Sequence, residues 1–223
     1  WKNKLGVSEK VMPDWSPIAV RGNTIKVAER EIIFAPSGLP ERIVSCGADI
    51  LAAPVSLEAA SGGKAIELAS PRPAETKPMG EVRAEAKGKL SGGGLDISIE
   101  SYAEFDGMIW FTAKLSTAAE GKPAVIDALT LRIPIKPESA DFIHWWSGER
   151  DFRNPKVVHI GTLPDKKGVI FRSNDSGALT RPEELRGSFI PYLLLTGDRC
   201  GLAWFAENDN GWTLSDEIPA VSV

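Results

Sequence analysis

At 223 residues, with 43% hydrophobic and 25% charged side chains, the chain has an ordinary globular composition and the length to bury one large all-β core. A formal charge of −4 supplies no electrostatic footprint for nucleic acid, so no nucleic-acid partner is expected. No apolar run approaches the roughly 20 residues that span a bilayer and no cationic-then-apolar start is present, so no membrane insertion is expected.

The opening, Trp1 to Pro17, holds Pro13, Asp14 and Pro17 with little periodicity and reads as an extended lead-in anchored by Trp15. Thr24–Phe34 is β-prone, Ala35-Pro36-Ser37-Gly38 supplies a turn, and a second strand runs from Arg42 to Ser45. A third run, Ile50–Ala59, contains Pro54, which cannot donate to a ladder and so marks an edge or a bulge. Ser61 to Pro78 is rich in Gly, Pro, Ser and Ala and reads as loop around one short strand, Ala65–Leu68; a domain linker is the alternative. Glu81–Leu90 alternates small and charged residues as an exposed strand should, and Ser91-Gly92-Gly93-Gly94 breaks it.

The next hairpin can be read to the residue. Leu95, Ile97, Ile99, Ala103 and Phe105 share one parity, and Ile109, Phe111, Ala113 and Leu115 share one on the return. A two-residue Asp106-Gly107 loop would mix the faces, whereas a three-residue loop, Phe105-Asp106-Gly107 with Gly107 left-handed, pairs Ala103 with Ile109, Ile99 with Ala113 and Ile97 with Leu115. Ser101 is the one polar residue on that inward face, and Tyr102 falls opposite Trp110 on the other.

Val125–Ile135 alternates again with Leu129, Leu131, Ile133 and Ile135 inward, until Pro134 limits its pairing. Phe142–Pro155 reads as a polar-aromatic loop combining Trp145, Trp146 and Phe152 with His144, Glu149, Arg150, Asp151 and Arg153. Val157–Ile160 and Gly168–Arg172 are short strands with a turn at Asp165–Gly168, and Thr180–Leu185 carries the one helix signal, a capping threonine with an early proline. Ile190–Leu195 and Leu202–Ala206 read as two core strands joined at Asp198-Arg199. Strands at short spacing with Gly and Pro turns and minimal helix predict an all-β, antiparallel β-sandwich of two stacked sheets, of jelly-roll or supersandwich type, forming a single domain over residues 1–223. An open barrel is the alternative.

The chemistry is less legible than the fold. Nucleophile-elbow, P-loop, dinucleotide and zincin motifs do not occur, and His144 and His159 leave few ways to build a histidine triad. Cys46 and Cys200, the only cysteines, have neither CxxC spacing nor a neighbouring His pair, so neither zinc nor another cofactor is expected. They are two buried thiols or one bridge, the free thiols being preferred. Glu207 and Asp209 beside Trp204 form the acid pair to inspect first, although a solvated loop end explains them as well. Sugar rings pack on aromatic faces while nearby carboxylates take their hydroxyls, which makes Trp145, Trp146, Trp110, Tyr102 and Trp212 candidates for carbohydrate binding or for an interdomain contact. For any single tryptophan, core packing is the competing explanation.

Three segments together resemble the N-terminal domain of glycoside hydrolase family 123 and its bacterial relatives. They are Trp15-Ser16-Pro17 through Ala53-Pro54, with FAPSGLPERI and ADILAAPVSL; the Glu104–Leu115 hairpin leading into LTLRIPI; and FIPYLLLTGDRCGLAWFAENDNGW. The resemblance implies a β-sandwich preceding a catalytic (β/α)8 barrel, an activity on terminal β-linked N-acetylgalactosamine, and an extracellular or periplasmic setting. In that family the catalytic Asp-Glu pair belongs to the barrel. The chain starts at Trp1 rather than Met and stops at Ala220-Val221-Ser222-Val223 in what reads as mid-strand, so the expectation is a fragment whose barrel lies elsewhere in the parent, with no catalytic residue of its own. The expected partners are that C-terminal catalytic barrel of the same parent chain and a glycan. A carbohydrate-binding module and a mutarotase-like enzyme using both histidines are the alternative functions.

Overall fold

The computed structural model describes residues 8–118, 123–146, 158–163, 169–172, 192–205 and 220–222. The first sheet is an antiparallel meander of β1 (Ala19–Arg21), β2 (Thr24–Val27), β3 (Arg30–Phe34), β4 (Pro40–Ser45) and β5 (Ala48–Asp49). The single β-prone stretch expected over Thr24–Phe34 is thus a hairpin. Its apolar residues switch parity between Ile25/Val27 and Ile32/Phe34, and Ala28-Glu29, with Glu29 at φ 51°, turns the chain between them. Pro54 lies in no strand, neither edge nor bulge: β5 ends at Asp49 before the expected run begins, and β6 (Ser56–Ser61) starts after the proline.

Strand β6 pairs with β7 (Lys64–Ile66) on one side and, far along the chain, with β12 (Ala128–Arg132) on the other. Between them, β8 (Glu75–Pro78), β9 (Arg83–Gly92), β10 (Leu95–Glu104) and β11 (Ile109–Thr117) form a four-stranded sheet in the order β11-β10-β9-β8. The predicted register is the one observed, with Ala103 opposite Ile109, Tyr102 opposite Trp110, Ile99 opposite Ala113 and Ile97 opposite Leu115. Gly107 sits at φ 92°, and the Glu104 amide donates to the Met108 carbonyl to close the three-residue loop. Ile97, Ile99 and Ala103 are fully buried, while Leu115 stays 43% exposed, so the apolar face thins toward the end of β11.

Strand β9 is not the exposed strand its charges suggest. Ala84 and Ala86 are fully buried and pack with Ile18, Ile25, Val27, Ile32, Phe34 and Ala103 in one cluster, because small alanines let the first sheet approach closely. The closest approach is at the Ala35–Leu39 turn. A Cβ on Gly88 would lie 2.2 Å from the Ser37 carbonyl carbon, and one on Gly38 would lie 2.7 Å from the Gly88 nitrogen. Ser101, the polar exception, donates its hydroxyl to the Gly38 carbonyl at 2.7 Å and so satisfies a buried acceptor at this crossing. Downstream, β12 is largely exposed, and Leu129 departs from its expected inward place.

After a 3-10 turn at Pro137–Ser139, β13 (Phe142–Trp146) runs where a loop was expected. It lies between β14 (Val158–Thr162) and β16 (Tyr192–Thr196), with β17 (Gly201–Phe205) next to β16; β15 (Val169–Arg172) pairs separately with β18 (Ala220–Ser222). The expected turn at Asp165–Gly168 and helix at Thr180–Leu185 lie outside the described residues. The β16–β17 hairpin is confirmed, but of its residues only Leu195 is buried, so core strand describes one parity of β16 and not the whole element.

The two-sheet sandwich expected from the sequence is overturned. The strands divide among small antiparallel sheets of five, three, four and four strands, with a further two-stranded ribbon, which are blades of the β-propeller kind and not halves of a sandwich. Short turns join the neighbouring strands of the β1–β5 and β8–β11 sheets, whereas β6 with β12 and β15 with β18 pair across long stretches of chain, and strand count with Gly and Pro punctuation does not reveal which strands pair. The chain divides into two compact units, Trp1–Ile135 and Lys136–Val223, and every described ladder lies within one of them.

Candidate functional site

The polar face of the β8–β11 sheet carries the first aromatic candidates. Tyr102 on β10 lies directly across from Trp110 on β11 and from Glu85 on β9, all half-buried. The Arg83 guanidinium stacks 4.1 Å from the centre of the Tyr102 ring and also pairs with Glu104, so one face of that ring is already occupied by a cation. The rest of the face is a lattice of opposite charges: Lys89 with Asp96 at 2.6 Å, Lys114 with Glu100 at 3.3 Å, and Lys77 with Glu85 at 3.3 Å. The Lys89 ammonium and then the Ser91 hydroxyl hold the Asp96 carboxyl below the usual aspartate range. Exposed pairs of this type are screened by solvent and contribute little to stability, and together they make a charged mosaic around Tyr102 and Trp110.

The sheet of β13, β14, β16 and β17 presents a different surface. Ile143 and Leu195, paired across β13 and β16, are buried and define its inner parity. Trp145, opposite Leu193, holds a register position of that inner parity. Phe142, Tyr192 and Phe205 belong to the other parity and are 38%, 38% and 42% exposed; Tyr192 and Phe205 are direct cross-strand partners. Trp146, opposite Val158, holds a register position of this outer parity. The two adjacent tryptophans singled out in the sequence are thereby separated by the ladder. Tyr192 and Phe205 were missed as candidates because they sit in apolar runs that read as core, and Phe142 because the loop it opens was read for its tryptophans. The available signal was the hairpin register, since a four-residue turn pairing Thr196 with Gly201 puts Tyr192 opposite Phe205.

At the turn itself, the Gly197 amide donates to the Cys200 carbonyl, and a Cβ on Gly197 would lie 2.1 Å from the Glu138 carbonyl oxygen. Buried Ser139 lies with its Oγ 3.4 Å from Cys200 Sγ, so the hairpin turn is locked onto the 3-10 turn. Cys200 and Cys46 are both free thiols, and Cys46 is exposed, contrary to the buried pair expected. His144 lies opposite Ile160 whereas His159 lies opposite Trp145, so the two histidines hold opposite parities of adjacent strands. Glu207, Asp209 and Trp212 lie outside the described residues, as do Glu149 to Pro155 of the polar-aromatic segment.

These elements define an all-β chain of small antiparallel blades, with a charged sheet face in the first unit and an aromatic one in the second. The chain belongs to the family described as glycoside hydrolase 123, third domain, whose model matches residues 18–155. The family resemblance drawn from the sequence is therefore correct, with the domain described as the third and not the N-terminal one. No curated protein matches the chain. No solved structure matches it either.

Proposed function

We propose that the chain is a non-catalytic domain of a larger β-N-acetylgalactosaminidase-like glycoside hydrolase, which packs on a catalytic (β/α)8 barrel and helps to shape its substrate cleft. The observation that carries this reading is membership of the glycoside hydrolase 123 third-domain family, since a domain described as third works beside others. The outer aromatic parity of β13, β16 and β17 supports it. Phe142 and Tyr192 offer large, rigid apolar area of the type enriched in interdomain contacts, while the charge-paired face of β8–β11 suits water. Several carboxylates are held in ion pairs, among them Asp49 with Arg42 and Glu58 with Arg132.

In the full-length parent, the double substitution Phe142→Ser and Tyr192→Ser is expected to weaken docking by roughly 2 kcal/mol or more, as loss of buried anchors does. The readout is a lower thermal transition of the parent and a raised KM on an aryl β-N-acetylgalactosaminide, with the isolated domain unfolding as before. The reading is overturned if the isolated 223-residue chain hydrolyses that substrate and loses the activity when one of its own carboxylates is replaced. A second reading, a glycan-binding module, is supported by the same aromatic parity, because pyranose rings stack on exposed aromatic faces. Calorimetric titration of the isolated chain with glycans separates the two: saturable binding abolished by Tyr192→Ser selects the module.

A further inference from the structure

We draw no further inference here: the strongest candidate, the outer face of the β13–β16–β17 sheet carrying Phe142, Tyr192 and Phe205, belongs to the contact already proposed, and nothing in the structure shows what covers it.

Discussion

A methyl group at residue 88 would have nowhere to go. Backbone atoms of Ser37 and Gly38 stand 2.2–2.4 Å from where it would lie, and neither belongs to a side chain that could swing aside. Gly88→Ala is therefore expected to cost about 3 kcal/mol or more, read as a lowered denaturant midpoint. Gly94→Ala is the control: at φ 80° with nothing within 4 Å, it bears only the left-handed backbone penalty of about 1–2 kcal/mol. Equal losses at the two sites would refute the backbone crossing. Asp96 makes a pH-dependent prediction. Its folded-state pKa is depressed by Lys89 and Ser91, so the stability it contributes is complete above the ordinary value of 3.8 and is lost as pH falls through the folded value. The stability gap between the native protein and Asp96→Asn should accordingly stay level from neutral pH down to about pH 5 and close in stronger acid. A gap that widens in acid would show that Lys89 does not hold this carboxylate. Neither residue's role could be read locally. Gly88 looks like one glycine among 21, and its partner loop lies about 50 positions upstream.

At the scale of elements, the β10–β11 hairpin was legible down to its register because two signals agreed. The period-2 pattern on both strands and the glycine placed for a left-handed loop position admit one pairing that keeps apolar residues together. Burial along the hairpin was not legible. Ile99→Ala is expected to lose about 2–5 kcal/mol, as a fully buried isoleucine does, whereas Leu115→Ala on the same sheet face should lose less than about 1 kcal/mol. Chemical denaturation of the two variants checks this, and comparable losses would place Leu115 in a core. Strand β13 shows the opposite failure: the density of Trp, His and charged residues after Phe142 suggested a loop, although its first five residues form an inner strand between β14 and β16. Aromatic residues favour strands as well as binding loops, and neighbouring strands decided the outcome.

For the whole molecule, the division into Trp1–Ile135 and Lys136–Val223 predicts separable folding. The first unit contains the cluster built around Ile25, Ile32 and Phe34 together with the three sheets formed by β1 to β12. A chain cut after Ile135 should retain dispersed amide NMR signals and unfold cooperatively; a disordered spectrum would show that the first unit depends on the second. The sequence by itself determined the all-β class, most strand positions, the β10–β11 register and the glycoside hydrolase 123 family, since these follow from side-chain periodicity, turn chemistry and family-specific segments. Tertiary structure alone decided that the strands close into small blade-like sheets, that Ala84 and Ala86 are core, and that Phe142 and Tyr192 are exposed while Ile143 and Leu195 are not. Alternation along a strand marks two faces, but which face is covered depends on elements distant in the chain, and no local pattern encodes that.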